Sequence, residues 1–126
     1  MVNTKMVELM ALVIDDEPEI AEFLCDILTS EGVRAYSVPN TSEGLGRLAN
    51  VNYDLVFTDL NQKPTGVEVY NLAKSKGIQG VYIITGGAES TLLEEAERTA
   101  GNDLLLKPIR FSVIQQKIEQ AKQRKS

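Results

Sequence analysis

The chain has 126 residues, of which 43% are hydrophobic and 25% charged, a size and balance that suit one self-sufficient globular domain and exclude intrinsic disorder. A formal net charge of −5 disfavours binding to nucleic acid, which depends on Lys and Arg neutralising phosphates. With no His and the single Cys25, intrachain disulfides, the usual zinc ligand sets and Ser-His-Asp triads are excluded. No apolar run reaches the roughly 20 residues of a membrane span, and the opening MVNTKMVELM lacks a secretory layout, so a cytoplasmic location without membrane contact is expected.

Leu9 to Ile14 is an almost continuous apolar run, as a strand buried on both faces requires, and it stops at Asp15 and Asp16. Pro18 fits a first helical turn, and Ile20, Phe23, Leu24, Ile27 and Leu28 recur at helical spacing up to Gly32. Cys25 lies on the flank of this stripe and reads as a small core-edge residue. Val33 to Val38 predicts a second strand, and Asn40 with Glu43 predicts a capped helix carrying Leu45, Leu48 and Ala49. Tyr53 to Thr58 predicts a third strand ending at Asp59; the turn Asn61 to Gly66 leads to a helix from Val67 to Lys76, stopped by Gly77. Val81 to Thr85 predicts a fourth strand, followed by Gly86, Gly87 and a helix whose capping box would be Thr91 and Glu94. Leu104 to Leu106, closed by Lys107 and Pro108, is a fifth strand, and Phe111, Ile114, Ile118 and Ala121 place one apolar stripe on a last helix. Strict alternation predicts an α/β fold with a five-stranded parallel sheet, doubly wound in the flavodoxin-like manner, with helices on both faces. Residues 1–8 read as an N-terminal extension and 9–124 as the domain.

In an open parallel sheet, ligands bind beyond the carboxyl ends of the strands, near the point where the strand order reverses. Here those ends carry Asp15 and Asp16, Asp59, Thr85 and Lys107. Three carboxylates and one ammonium have formal charges of −3 and +1, leaving −2, which a divalent cation would cancel. Oxygen donors without a soft ligand favour Mg²⁺ (or Mn²⁺), and Mg²⁺ prefers to share its shell with phosphate. Phosphoryl transfer uses such parts. Asp59 would be the covalent nucleophile, Asp15 and Asp16 would hold the metal, Lys107 would pair with Asp59 or its phosphoryl oxygens, and Thr85 would donate to them.

The ordered motifs V-I-D-D-E (Val13 to Glu17), L-V-F-T-D-L around Asp59, Y-I-I-T-G around Thr85 and L-L-K-P (Leu105 to Pro108) closely resemble those of the receiver domain of two-component response regulators, of the stand-alone chemotaxis type, over about Leu9 to Lys122. The resemblance implies that Asp59 is the phosphoacceptor, that Asp16 is a direct and Asp15 a water-mediated metal ligand, that the Asn61 carbonyl is a further ligand, and that the Lys107–Pro108 bond is cis. It implies a histidine kinase or histidine phosphotransfer protein as donor and a downstream protein that reads the surface of the fourth helix, fifth strand and fifth helix. The domain would promote only its own phosphorylation and dephosphorylation, and no output domain is expected.

Three positions depart from the family pattern. The loop after Asp59 is one residue short, with Gly66 seven residues on; Gly86 replaces the common Ala after Thr85; and Leu104 stands where an aromatic ring is common. A degenerate receiver used as a docking module is therefore the alternative reading. A haloacid-dehalogenase-like phosphatase fits less well, because Asp59-Leu60-Asn61 lacks the second acid and Asp15 and Asp16 precede the lysine. A flavodoxin-like cofactor binder would place phosphate against D-D-E-P-E, which repels it.

Overall fold

The computed structural model describes residues 7–126. Of the predicted extension, residues 1–6 lie outside the described residues. Five strands form one parallel sheet: β1 (Met10–Ile14), β2 (Arg34–Val38), β3 (Leu55–Asp59), β4 (Gly80–Thr85) and β5 (Leu104–Leu106). Their spatial order is β2-β1-β3-β4-β5, with registers such as Ile14 beside both Val38 and Thr58. The helices are α1 (Pro18–Ser30), α2 (Thr41–Asn50), α3 (Gly66–Ser75), α4 (Ser90–Ala100) and α5 (Phe111–Lys125), and a 3-10 turn (Gly101–Asp103) leads into β5. This is the doubly wound, flavodoxin-like arrangement that the alternation predicts.

Alternation along the central strands splits the core into two layers. Leu12 and Ile14 of β1, Val56 of β3 and Val81 and Ile83 of β4 pack with Leu48 of α2, Val69 and Ala73 of α3 and Ala96 of α4. Ala11 and Val13, Leu55 and Phe57, and Tyr82 and Ile84 face the other way, against Leu24, Ile27 and Leu28 of α1 and Ile114 and Ile118 of α5. Burial of each such aliphatic side chain is worth about 1.5–3 kcal/mol, which holds the central strands in register from both sides. Cys25 sits at the margin of the second layer.

The helix boundaries differ from expectation where capping is decided by local competition. At α2, Asn40 does accept from the Glu43 N–H (2.9 Å), but the Glu43 carboxylate meets the Asn40 side-chain amide (3.2 Å) instead of its backbone. The reciprocal capping box is at α3, between Thr65 and Glu68, and α4 is capped by Glu89, whose carboxylate accepts from the Thr91 N–H (2.8 Å), so Thr91 and Glu94 do not form the expected box. Two aromatic residues also leave their predicted stripes: Phe23 is 43% and Phe111 47% exposed, because each lies at the border of its helix's apolar arc. No helix among the described residues is long and apolar enough to cross a membrane.

Candidate functional site

The chain leaves β2 and crosses β1 to form β3, so the strand order reverses between β1 and β3. A crevice at their carboxyl ends follows from that reversal. Asp15 immediately follows β1 and Asp59 ends β3; their residues are only 2% and 5% exposed. Asp15 is anchored by its own backbone: its N–H donates to the Val38 carbonyl (3.2 Å), and its Oδ1 accepts from the Glu17 N–H (2.8 Å), a side-chain turn that starts α1. Its Oδ2 is buried, lies 3.2 Å from Lys107 Nζ, and receives no directed hydrogen bond from the described residues. Asp16 and Glu17 are exposed.

Thr85 ends β4 and is fully buried. Its Oγ1 accepts from the Gly87 N–H (3.0 Å), which leaves the hydroxyl proton available for another acceptor. Lys107 enters from the turn after β5, where its N–H donates to the Thr85 carbonyl (2.8 Å) and its bond to Pro108 is cis. Its ammonium lies 2.7 Å from Glu17 Oε1, 3.2 Å from Asp15 Oδ2 and 4.0 Å from Asp59 Oδ1. Lys107 is expected to pair with Asp59 or its phosphoryl oxygens; in this fold, without a phosphoryl group, Glu17 is its nearest carboxylate. Glu17 was not singled out because it is separated from Lys107 by 90 positions, although its place two residues after Asp15 puts it at the rim of the same crevice.

The loop after Asp59 is braced on two sides. The Asn61 N–H points to Asp59 Oδ1 at a long 3.4 Å, and its side-chain amide donates to the Gly87 carbonyl (2.6 Å), joining the loops after β3 and β4. Gln62, the second residue the sequence did not mark, accepts from the Thr41 N–H (2.8 Å), while the Thr41 hydroxyl donates to the Pro64 carbonyl (2.5 Å). These contacts brace the loop, which contains a second cis bond, Lys63–Pro64. Gly66 is required at its end: a Cβ there would lie 2.5 Å from the Asp59 carbonyl oxygen and 2.9 Å from Leu60 Cα.

The electrostatics follow from this crowding. Burial pushes the Asp59 carboxyl up; the Lys107 ammonium pulls against it, Asp15 adds to the rise, and the Asn61 N–H and Gln62 amide offset part, with a raised value as the outcome. Burial acts to lower Lys107, but Glu17, Asp15 and Asp59 outweigh it, so the ammonium is held above its ordinary value. The acidic cluster suits a cation: Asp15, Asp16 and Glu17 each offer a carboxylate oxygen within 4.8 Å of one another, and the buried Oδ2 of Asp15 has an ion-pair partner in Lys107 but no directed hydrogen bond. An all-oxygen donor set suits Mg²⁺.

Residues 11–119 match the family described as response regulator receiver domain. Transcriptional regulatory protein ResD of Bacillus subtilis (strain 168) is 28% identical over 102 residues, which are 80% of this chain and 42% of that protein; the chain thus spans less than half the length of this relative. Among solved structures, a CheY-like receiver domain protein from Methanospirillum hungatei JF-1 superposes with a TM-score of 0.79 at 20% identity, covering 94% of this chain and 97% of that one. FixJ-N superposes with a TM-score of 0.73 at 25% identity, over 94% and 96%. Chemotaxis response regulator CheY4 of Vibrio cholerae gives 0.74 at 16% identity, over 91% and 99%. The family match spans almost the whole folded segment, including every strand end that builds the crevice, and the chain therefore belongs to the response regulator receiver domain family, whose members are signalling modules of two-component systems.

Proposed function

We propose that this receiver accepts a phosphoryl group on Asp59 from the phosphohistidine of a histidine kinase or histidine phosphotransfer protein. The observation that carries the reading is convergence: four strand ends deliver a buried carboxylate (Asp59), a second buried carboxylate (Asp15), a buried hydroxyl (Thr85) and an ammonium (Lys107) to one crevice. In the transfer, an Asp59 carboxylate oxygen attacks phosphorus, the O–P bond forms, the donor's N–P bond breaks, and the imidazole leaves with that electron pair. Lys107 faces the phosphoryl oxygens with positive charge, and Thr85 turns its free hydroxyl proton toward them. Asp15, Asp16, Asp59 and the Asn61 carbonyl are the groups that would hold Mg²⁺ or Mn²⁺, which when bound supplies charge neutralisation at the phosphoryl oxygens. Catalysis is confined to the domain's own phosphorylation and dephosphorylation, and the location is cytoplasmic.

The output reaches a downstream protein through α4, β5 and α5. Leu106, at 67% exposure, and Phe111 offer apolar contact there. Intact-mass measurement after incubation with acetyl phosphate tests the reading. One phosphoryl adduct is expected with Mg²⁺ present, and none with a chelator or in Asp59→Asn. No labelling of the wild type with Mg²⁺ would make the domain a phosphorylation-independent docking module instead, and stoichiometric labelling of that variant would move the acceptor off Asp59.

A further inference from the structure

The Lys107 ammonium has an order of contacts that does not favour the acceptor. Its shortest contact, 2.7 Å, is to Glu17 Oε1; Asp15 Oδ2 is next at 3.2 Å, and Asp59 Oδ1 is last at 4.0 Å. The last distance exceeds hydrogen-bonding range, whereas the first is a charge-assisted bond at its usual length. Asp15 and Asp59 are both nearly fully buried and fixed at strand ends. Glu17 differs: its side chain is 54% exposed, and its backbone N–H is independently tied to Asp15 Oδ1, so its carboxylate can release the ammonium without breaking a backbone contact. A phosphoryl group on Asp59 would project into the gap of 4.0 Å and carry roughly −1.5 to −2 charge, a stronger acceptor than one carboxylate.

We infer that Glu17 is a positioning residue that competes with the phosphoryl-bearing Asp59 for Lys107, so that loading the acceptor requires the lysine to leave Glu17. The inference rests on the reading of Asp59 as the phosphoacceptor. Glu17 thereby differs from Asp16, the exposed neighbour read as a metal ligand: its Oε1 is engaged by the ammonium at 2.7 Å.

Glu17→Gln keeps the shape and a neutral acceptor but removes the charge. The test titrates beryllofluoride, the phosphoryl mimic, at saturating Mg²⁺ into wild type, Glu17→Gln, Lys107→Met and the double variant, followed by backbone amide shifts. Glu17→Gln is expected to bind about threefold to tenfold more tightly than wild type, the difference between a charge-assisted and a neutral contact. In the Lys107→Met background the same substitution is expected to change affinity less than about twofold, because no ammonium is left to release. If Lys107→Met binds too weakly to titrate, the Lys107 Cε methylene signal decides: in free Glu17→Gln it is expected to move toward its position in beryllofluoride-bound wild type. Tightening by less than about threefold, an effect of about twofold or more without the lysine, or a Cε signal that stays at the free wild-type position would each overturn the assignment. So would an Mg²⁺ affinity lowered more than about fivefold in Glu17→Gln, which would make Glu17 a metal ligand. A wild-type protein that takes up no beryllofluoride would instead overturn the phosphoacceptor reading itself.

Discussion

Asp59 carries its negative charge at a cost in the metal-free fold, because burial raises its carboxyl above the ordinary value despite the Lys107 ammonium nearby. The folded state therefore binds more protons than the unfolded chain between the unfolded value, about 3.9, and the raised folded one. Stability contributed by this group falls as pH rises through that window and stays low above it. Asp59→Asn removes the charge, while Lys107 keeps Glu17 and Asp15. The metal-free variant is expected to melt about 2–5 °C above wild type at pH 7, with the advantage shrinking as pH falls through that window and gone below the ordinary carboxylate value. Thermal melts across pH check this, and equal melting temperatures at pH 7 would contradict it. Gly66 gives a second prediction at the same scale. The atoms that a Cβ would strike belong to the backbone of Asp59 and Leu60, which cannot rotate away. Gly66→Ala is expected to lose about 1–3 kcal/mol in urea unfolding and to slow phosphorylation. A loss below about 0.5 kcal/mol would show that the loop yields.

Between elements, α3 is tied to the turn before β5 by the Tyr70 hydroxyl, which donates to Asp103 Oδ2 (2.6 Å). Tyr70 is pushed well above the ordinary phenol value by burial first and then by the Asp103 carboxylate, so the bond persists across the neutral range. Tyr70→Phe is expected to cost about 1 kcal/mol, read as a lower urea midpoint with an unchanged slope; no change would mean that water replaces the bond without loss. The elements themselves were legible in the sequence because strands buried on both faces must be apolar without interruption, as in Leu9 to Ile14 and Val81 to Ile84. Asp15, Thr85 and Lys107 were legible for a related reason: each is the polar residue that ends such a run, and Asp59 follows Thr58 at the end of another. What the sequence withheld depends on distance or on close competition. Glu17 meets Lys107 across 90 positions, and Gln62 meets Thr41 across 21, so no local pattern announces either contact. At α4, Glu89 and Thr91 both offer capping oxygens within three residues, and the longer Glu89 side chain takes the Thr91 N–H. Phe23 and Phe111 satisfy helical spacing yet stand at the edge of the arc that the sheet covers, a distinction that spacing alone does not resolve.

Across the whole molecule, the two packed layers leave the crevice at one edge of the sheet and the exposed residues Leu106 and Phe111 at its β5 side. β5 pairs with β4 at Thr85, and its Leu104 is half-buried against the layer that holds α4. Leu104 has no polar tip to exchange between solvent and core, so it offers little differential interaction between two states. Beryllofluoride is therefore expected to shift the amides of residues 85–88 strongly and those of residues 111–115 weakly, with output read mainly from α4. Shifts in the first turns of α5 as large as those beside Thr85 would contradict this. The central claim is that the phosphoryl group resides on Asp59. It is tested most directly by phosphorylating the chain with acetyl phosphate and Mg²⁺, reducing the acyl phosphate with borohydride to leave homoserine, and locating that residue by tandem mass spectrometry. Homoserine at position 59 is the predicted result; reduction at Asp15, Asp16 or Glu17, or an intact Asp59 in a labelled chain, would contradict it.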